Sequence, residues 1–96
     1  MGGNTVVTVD CASVTPAATI METDGSFAFM PTAATIMQNQ AVKFITSTTH
    51  NIVPNAGNDP GLTVPFNTTA CLKFTAKGTF MFHCGPHGFQ GTVTVQ

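Results

Sequence analysis

The stretch Thr79 to Gln96, TFMFHCGPHGFQGTVTVQ, decides how the chain is read. Thr79–Phe82 and Gly91–Gln96 read as two strand-like runs that bracket a short loop. Between them Cys84, His87 and Gln90 follow one another at three-residue steps. Gly85, Pro86, Gly88 and Gly91 supply what a tight turn requires. A thiol, an imidazole and an amide crowded on one loop read as a metal clamp. Cys and His together favour copper, zinc or iron over calcium or magnesium. A third strong ligand must come from elsewhere, and His50 is the candidate. His83 is next to Cys84, so strand alternation sends it to the other face, as a surface residue. Phe82 shares the face of Cys84 and is expected to shield the metal from water.

Outward from this segment, strand-like runs recur. Thr5–Val9 is one, and Ala17–Glu22 reads either as a second or as a short helical turn. Asp24-Gly25 is a turn dipeptide. Phe27–Met30, Thr35–Met37 and Ala41–Thr46 follow, the last with Val42, Phe44 and Thr46 on one face. Thr48–Val53 carries His50, Asn55–Pro65 is a loop rich in Gly, Pro and Asn, and Thr69–Thr75 alternates again before the Lys77-Gly78 turn. AATIM occurs twice, at Ala17–Met21 and Ala33–Met37, which is too little for a repeat architecture. No segment combines helix caps with an apolar stripe. Seven to eight short strands punctuated by Gly and Pro predict an all-β sandwich or barrel. Phe27, Phe29, Phe44, Phe74, Phe80 and Phe82 are expected to pack its interior. Met21, Met30, Met37 and Met81 are expected to fill core gaps rather than to bind metal.

The totals narrow the function. Ninety-six residues make one domain, 1–96. Only 7% of residues are charged, against an ordinary 43% hydrophobic. With three Lys, no Arg and a net charge of −1 there is no basic patch for phosphate, which argues against nucleic acid. Weak long-range electrostatics mean that a partner would dock through apolar contact. No apolar run approaches the ~20 residues of a membrane span. Met1-Gly2-Gly3 looks like the start of a trimmed chain whose leader has been removed. Of three cysteines, Cys11 and Cys71 remain once Cys84 is given to a metal. They read as a disulfide formed in an oxidising compartment, or else as two buried free thiols.

Two segments together resemble a known family. Thr48-Thr49-His50-Asn51-Ile52-Val53, then Phe82-His83-Cys84-Gly85-Pro86-His87-Gly88-Phe89-Gln90-Gly91-Thr92-Val93, are similar to the cupredoxins, the small blue copper proteins. Phe29-Met30-Pro31, Gln38-Asn39-Gln40 and Val42-Lys43-Phe44 are similar to the family's earlier strands. The resemblance covers roughly residues 27–96, and the step from Cys84 to Gln90 matches the short ligand loop of amicyanin-like members. It implies a Greek-key sandwich and one copper ion cycling between Cu(I) and Cu(II). His50, Cys84 and His87 would be equatorial ligands, with Gln90 where amicyanin-like proteins place an axial Met. An axial Gln oxygen is a harder donor than a thioether and implies a lower reduction potential. Asn51 resembles the residue that ties the two ligand loops together. Its partner after the cysteine is a Ser or Thr in the family and Gly85 here, which leaves a backbone N–H to the Cys84 sulfur as the tie.

The function so implied is one-electron transfer without substrate turnover, so the chain is expected to be a carrier and not an enzyme. A redox partner would dock on an apolar patch around His87, made by Pro86, Phe89, Pro54, Ala56 and Gly57. The protein is expected to be a monomer in the periplasm or outside the cell. The alternative is a copper-binding protein for storage or delivery. Zinc held by one cysteine and two histidines is also chemically admissible.

Overall fold

Alternation along the longer strands sends apolar residues inward, and the two sets of inward residues meet between two sheets. In a computed structural model describing residues 5–96, the strands are β1 Val6–Val9, β2 Ala18–Met21, β3 Ala33–Ile36, β4 Ala41–Ile45, β5 Val53–Pro54, β6 Thr69–Phe74, β7 Gly78–His83 and β8 Gln90–Val95. The reading of Met1-Gly2-Gly3 lies outside the described residues. One sheet has the order β1-β6-β4-β2 and the other β3-β8-β7-β5. The expected all-β sandwich of seven to eight strands is therefore what forms. The two AATIM copies become β2 and β3, each at the edge of a different sheet and each pairing in parallel, with β4 and β8 respectively. A 3-10 turn, Cys11–Ser13, is capped by the Asp10 carboxylate, which accepts from Ala12 N–H. It brings Cys11 to Cys71 in β6, and the two form a disulfide.

The core lies between the sheets and is aromatic at its centre. Phe29, Phe44, Phe74 and Phe82 are all fully buried, each contributing about 2–3 kcal/mol by burial. Phe82 stands edge-on to both Phe29 and Phe44, with ring centroids 4.9 and 5.6 Å away. Two expectations for the interior are corrected. Phe27 is 64% exposed, because it sits at a bend in the irregular chain beyond the end of β2, which breaks the alternation that turns Phe29 inward. The four methionines expected in the core are surface residues, Met21 and Met81 at 40% exposure and Met30 and Met37 at 57%. Each directly follows a buried residue (Ile20, Phe29, Ile36 or Phe80), so extended backbone points it outward.

Two acidic residues hold contrasting places around this sandwich. Asp59 accepts from Thr5 N–H, the Thr5 hydroxyl, Val6 N–H and Gly61 N–H, tying the start of β1 to the 55–65 loop. Burial alone would raise its carboxyl, but these donors outweigh it and hold the group below its ordinary value. Glu22, just past β2, has no such help. It is 4% exposed and neither carboxylate oxygen has a hydrogen-bond partner. Burial pushes it up to about 7.

The sign of the Glu22 effect follows from where the proton sits. Below its unfolded value, about 4.3, the carboxyl is protonated in both states and contributes no pH dependence. Between there and about 7 the folded state keeps the proton and the unfolded state loses it, so stability falls as pH rises. Glu22→Gln removes this dependence. The variant is expected to gain about 1–3 kcal/mol on the wild type between pH 4 and pH 8, measured by urea denaturation at the two values. A difference between the proteins that does not change with pH would remove the assignment.

Candidate metal centre

The β7–β8 hairpin positions two of the candidate ligands. Its ladder runs in antiparallel register from Gly78↔Val95 to His83↔Gln90, leaving Cys84–Phe89 as the connecting loop. Cys84 N–H donates to Phe89 O at 3.0 Å and Gly88 N–H to Cys84 O at 2.7 Å, which closes the loop on itself. Gly88 takes φ +77°, in the left-handed region that glycine enters without strain. The turn carries His87 back over Cys84.

The third residue arrives from the other side of the sandwich, on the segment between β4 and β5. Asp24 fixes this segment. Its carboxylate accepts from the Thr48 hydroxyl at 2.7 Å, the Thr49 hydroxyl at 2.9 Å and Thr49 N–H at 3.1 Å. The Thr48 hydroxyl, with those of the neighbouring residues, holds the Asp24 carboxyl well below the usual carboxylate range. The anchor therefore stays ionised except in strong acid. A second tie runs to the other ligand loop, where Gly85 N–H donates to Asn51 Oδ1 at 2.8 Å. The backbone N–H that serves Asn51 is thus that of Gly85, and it meets the Asn51 oxygen. A Cβ at position 85 would lie 3.1 Å from that oxygen, so a bare glycine suits so close an approach.

These supports bring His50, Cys84 and His87 together. Cys84 Sγ lies 3.6 Å from Nδ1 of His50 and 3.6 Å from Nδ1 of His87, and the two Nδ1 atoms are 3.1 Å apart. His50 and Cys84 are fully buried, whereas His87 reaches the surface. Three electron-rich atoms converging in this way repel one another unless a cation or a proton lies among them. Their spacing suits donors that share one ion at about 2.0–2.3 Å. One thiolate with two imidazoles suits a borderline or soft ion such as copper or zinc, and the donor set fits copper in both oxidation states. The Nε2 of His50 is buried without a hydrogen-bond partner, a cost that the fold carries at this site.

The remaining sequence candidates are placed differently. Gln90 is exposed, and its Oε1 accepts from Asn55 Nδ2 at 3.0 Å. His83 is half-buried on the outer face, as alternation requires, with Nδ1 against Asn55 Oδ1. Pro86 is exposed beside His87 and Phe89 is half-buried below it. Pro54, Ala56 and Gly57 flank Asn55 on β5 and the turn after it. Phe27 belongs to the centre rather than to the core expected for it. Its ring is 4.9 Å from that of His87 and 5.5 Å from that of His50. The signal for it is the Asp24-Gly25 turn, which ends the second strand before Phe27 is reached. Asn55, hidden in a loop of turn residues, carries no local signal.

No protein-family model matches the chain, and no curated protein matches it. Solved structures do. A reduced tryptophan-to-tyrosine variant of amicyanin superposes with a TM-score of 0.74 at 21% identity, over 97% of this chain and 100% of that one. Amicyanin from Paracoccus versutus gives 0.73 at 17% identity, over 97% and 99%. A methionine-to-glutamine variant of amicyanin with Cu(I) gives 0.71 at 20% identity, over 97% and 100%. The likeness is one of fold, and it extends along nearly the whole chain.

Proposed function

We propose that this chain, which folds as amicyanin does, is a cupredoxin. In this reading it is a one-electron carrier whose single copper ion is held by His50, Cys84 and His87. The observation that carries the proposal is the convergence of one Sγ and two Nδ1 atoms, all within 4.8 Å of one another, at one end of that fold. Copper there would supply a centre that gains and loses one electron.

The rest of the work falls to the chain. Phe82 lies fully buried on the face of Cys84 and excludes water from behind the sulfur. Asp24 and Asn51 brace the segment bearing His50 from both sides, so the donors are already in place and need little rearrangement. That rigidity keeps the reorganisation on electron transfer small. His87, exposed among Pro86, Phe89 and Phe27, offers an edge of the site to a redox partner docking by apolar contact. The disulfide between Cys11 and Cys71 supports a periplasmic or extracellular setting.

The test is an absorption spectrum of the Cu(II)-loaded protein beside its Cys84→Ser variant. An intense visible band from thiolate-to-copper charge transfer is expected in the first and is expected to vanish in the second. Retention of the full band by the variant would exclude Cys84 as a ligand and with it the proposal.

A further inference from the structure

We propose that the metal centre has no axial side-chain ligand: sheet register and Asn55 turn Gln90 away from it, and the rings of Phe27 and Phe89 flank the histidines instead. The inference rests on His50, Cys84 and His87 being the copper ligands.

Gln90 stands directly opposite His83 at the last rung of the β7–β8 ladder. Residues so paired leave the sheet on the same face. Cys84 is one residue beyond His83 and leaves on the opposite face. The Gln90 side chain therefore starts out on the wrong side of the sheet from Sγ, and it is exposed while Cys84 is fully buried.

A hydrogen bond then holds the Gln90 side chain on that side. Asn55 Nδ2 donates to Gln90 Oε1 at 3.0 Å, which is the oxygen that a metal would need. Asn55 is itself held, its N–H donating to Met81 O at 3.0 Å and its Oδ1 lying against His83. To reach the copper, Gln90 would have to give up this bond and open the His83 rung.

Among the described residues no methionine stands in for it. Met21, Met30, Met37 and Met81 are each at least 40% exposed, and each is directed outward by a buried neighbour. What borders the two imidazoles is hydrocarbon. The Phe89 ring meets His50 edge-on at 4.9 Å and stacks on His87 at 6.5 Å, and Phe27 covers the same pair from another side. Cu(I) is satisfied by three ligands that include a thiolate, whereas Cu(II) gains from an added oxygen donor. A centre without one favours the reduced ion. Its reduction potential is therefore higher than an axial Gln would give, the opposite of what the Cys84-to-Gln90 spacing implies.

The experiment compares copper-loaded wild type, Gln90→Met and Phe89→Met by absorption, electron-spin resonance and potentiometry. Gln90→Met is expected to leave band positions, copper hyperfine splitting and midpoint potential unchanged. Phe89→Met, which places a thioether beside the histidines, is expected to change all three. A raised potential with altered hyperfine splitting in Gln90→Met would overturn the inference. Nuclear magnetic resonance of the wild type gives an independent readout, because the Cu(I) form is diamagnetic. On Cu(I) uptake the His50 and His87 ring signals are expected to move and the Gln90 side-chain amide to stay. Movement of that amide together with the rings would also overturn the inference while leaving the copper site standing. Wild type that develops no charge-transfer band would instead remove the copper reading on which the inference rests.

Discussion

Replacing Cys11 and Cys71 together by alanine is expected to destabilise the fold by about 4 kcal/mol. The bridge joins residues 60 apart in sequence. Cross-linking a loop of that length lowers the entropy of the unfolded chain by an amount equivalent to about 4 kcal/mol. In a domain of this size total stability is about 5–15 kcal/mol, so the loss is a large fraction. The bridge also ties the 3-10 turn after β1 to β6, the strand that β1 pairs with, so a covalent link reinforces that edge of the sheet. Urea unfolding of the two proteins measures the difference. A loss below about 1 kcal/mol would mean that the unfolded chain is already restrained by other means.

Gly91→Ala is expected to cost about 2–3 kcal/mol by overpacking. A Cβ at this buried position would stand 2.6 Å from both Cε2 and Cζ of Phe82 and 3.0 Å from the ring of Phe29. Neither ring has room to retreat, since Phe29 and Phe82 already stand edge-on against each other and Phe82 against Phe44. Displacing Phe82 also disturbs the chain just before Cys84, so the visible band of the copper-loaded variant should broaden or shift. Gly25→Ala is the control, because a Cβ there meets nothing within 4 Å. Its stability should stay within about 0.5 kcal/mol of wild type. Equal effects at the two glycines would show that crowding at Phe82 is not the cause.

Much of the fold and of the centre is legible in the amino-acid sequence, and the failures share a cause. The Cys84 loop is legible because strand, turn and strand are contiguous, and His50 because Asn51 follows it within a strand-like run. The parallel pairing of β2 with β4 and of β3 with β8 is not legible, since nothing local marks which distant strand a short edge strand joins. The methionines are misplaced when hydrophobicity is weighed above parity. Alternation from Ile20, Ile36 and Phe80 turns Met21, Met37 and Met81 outward. Phe27 and Phe29 share parity, and only the bend between β2 and the Met30 bridge separates their fates. Gln90 shows the limit of spacing as an argument. Three-residue steps put it at ligand distance in sequence, but the side it faces depends on where the hairpin ladder stops.

The outward methionines have a consequence for survival in an oxidising setting. Peroxide would convert their thioethers to sulfoxides, which are polar and reversible. A sulfoxide forced into packed interior disrupts it, but these four side chains already meet solvent. The chain can therefore absorb oxidative hits at its exterior without opening a void, while the sulfur of Cys84, the one cysteine outside the disulfide, stays fully buried from the same reagent.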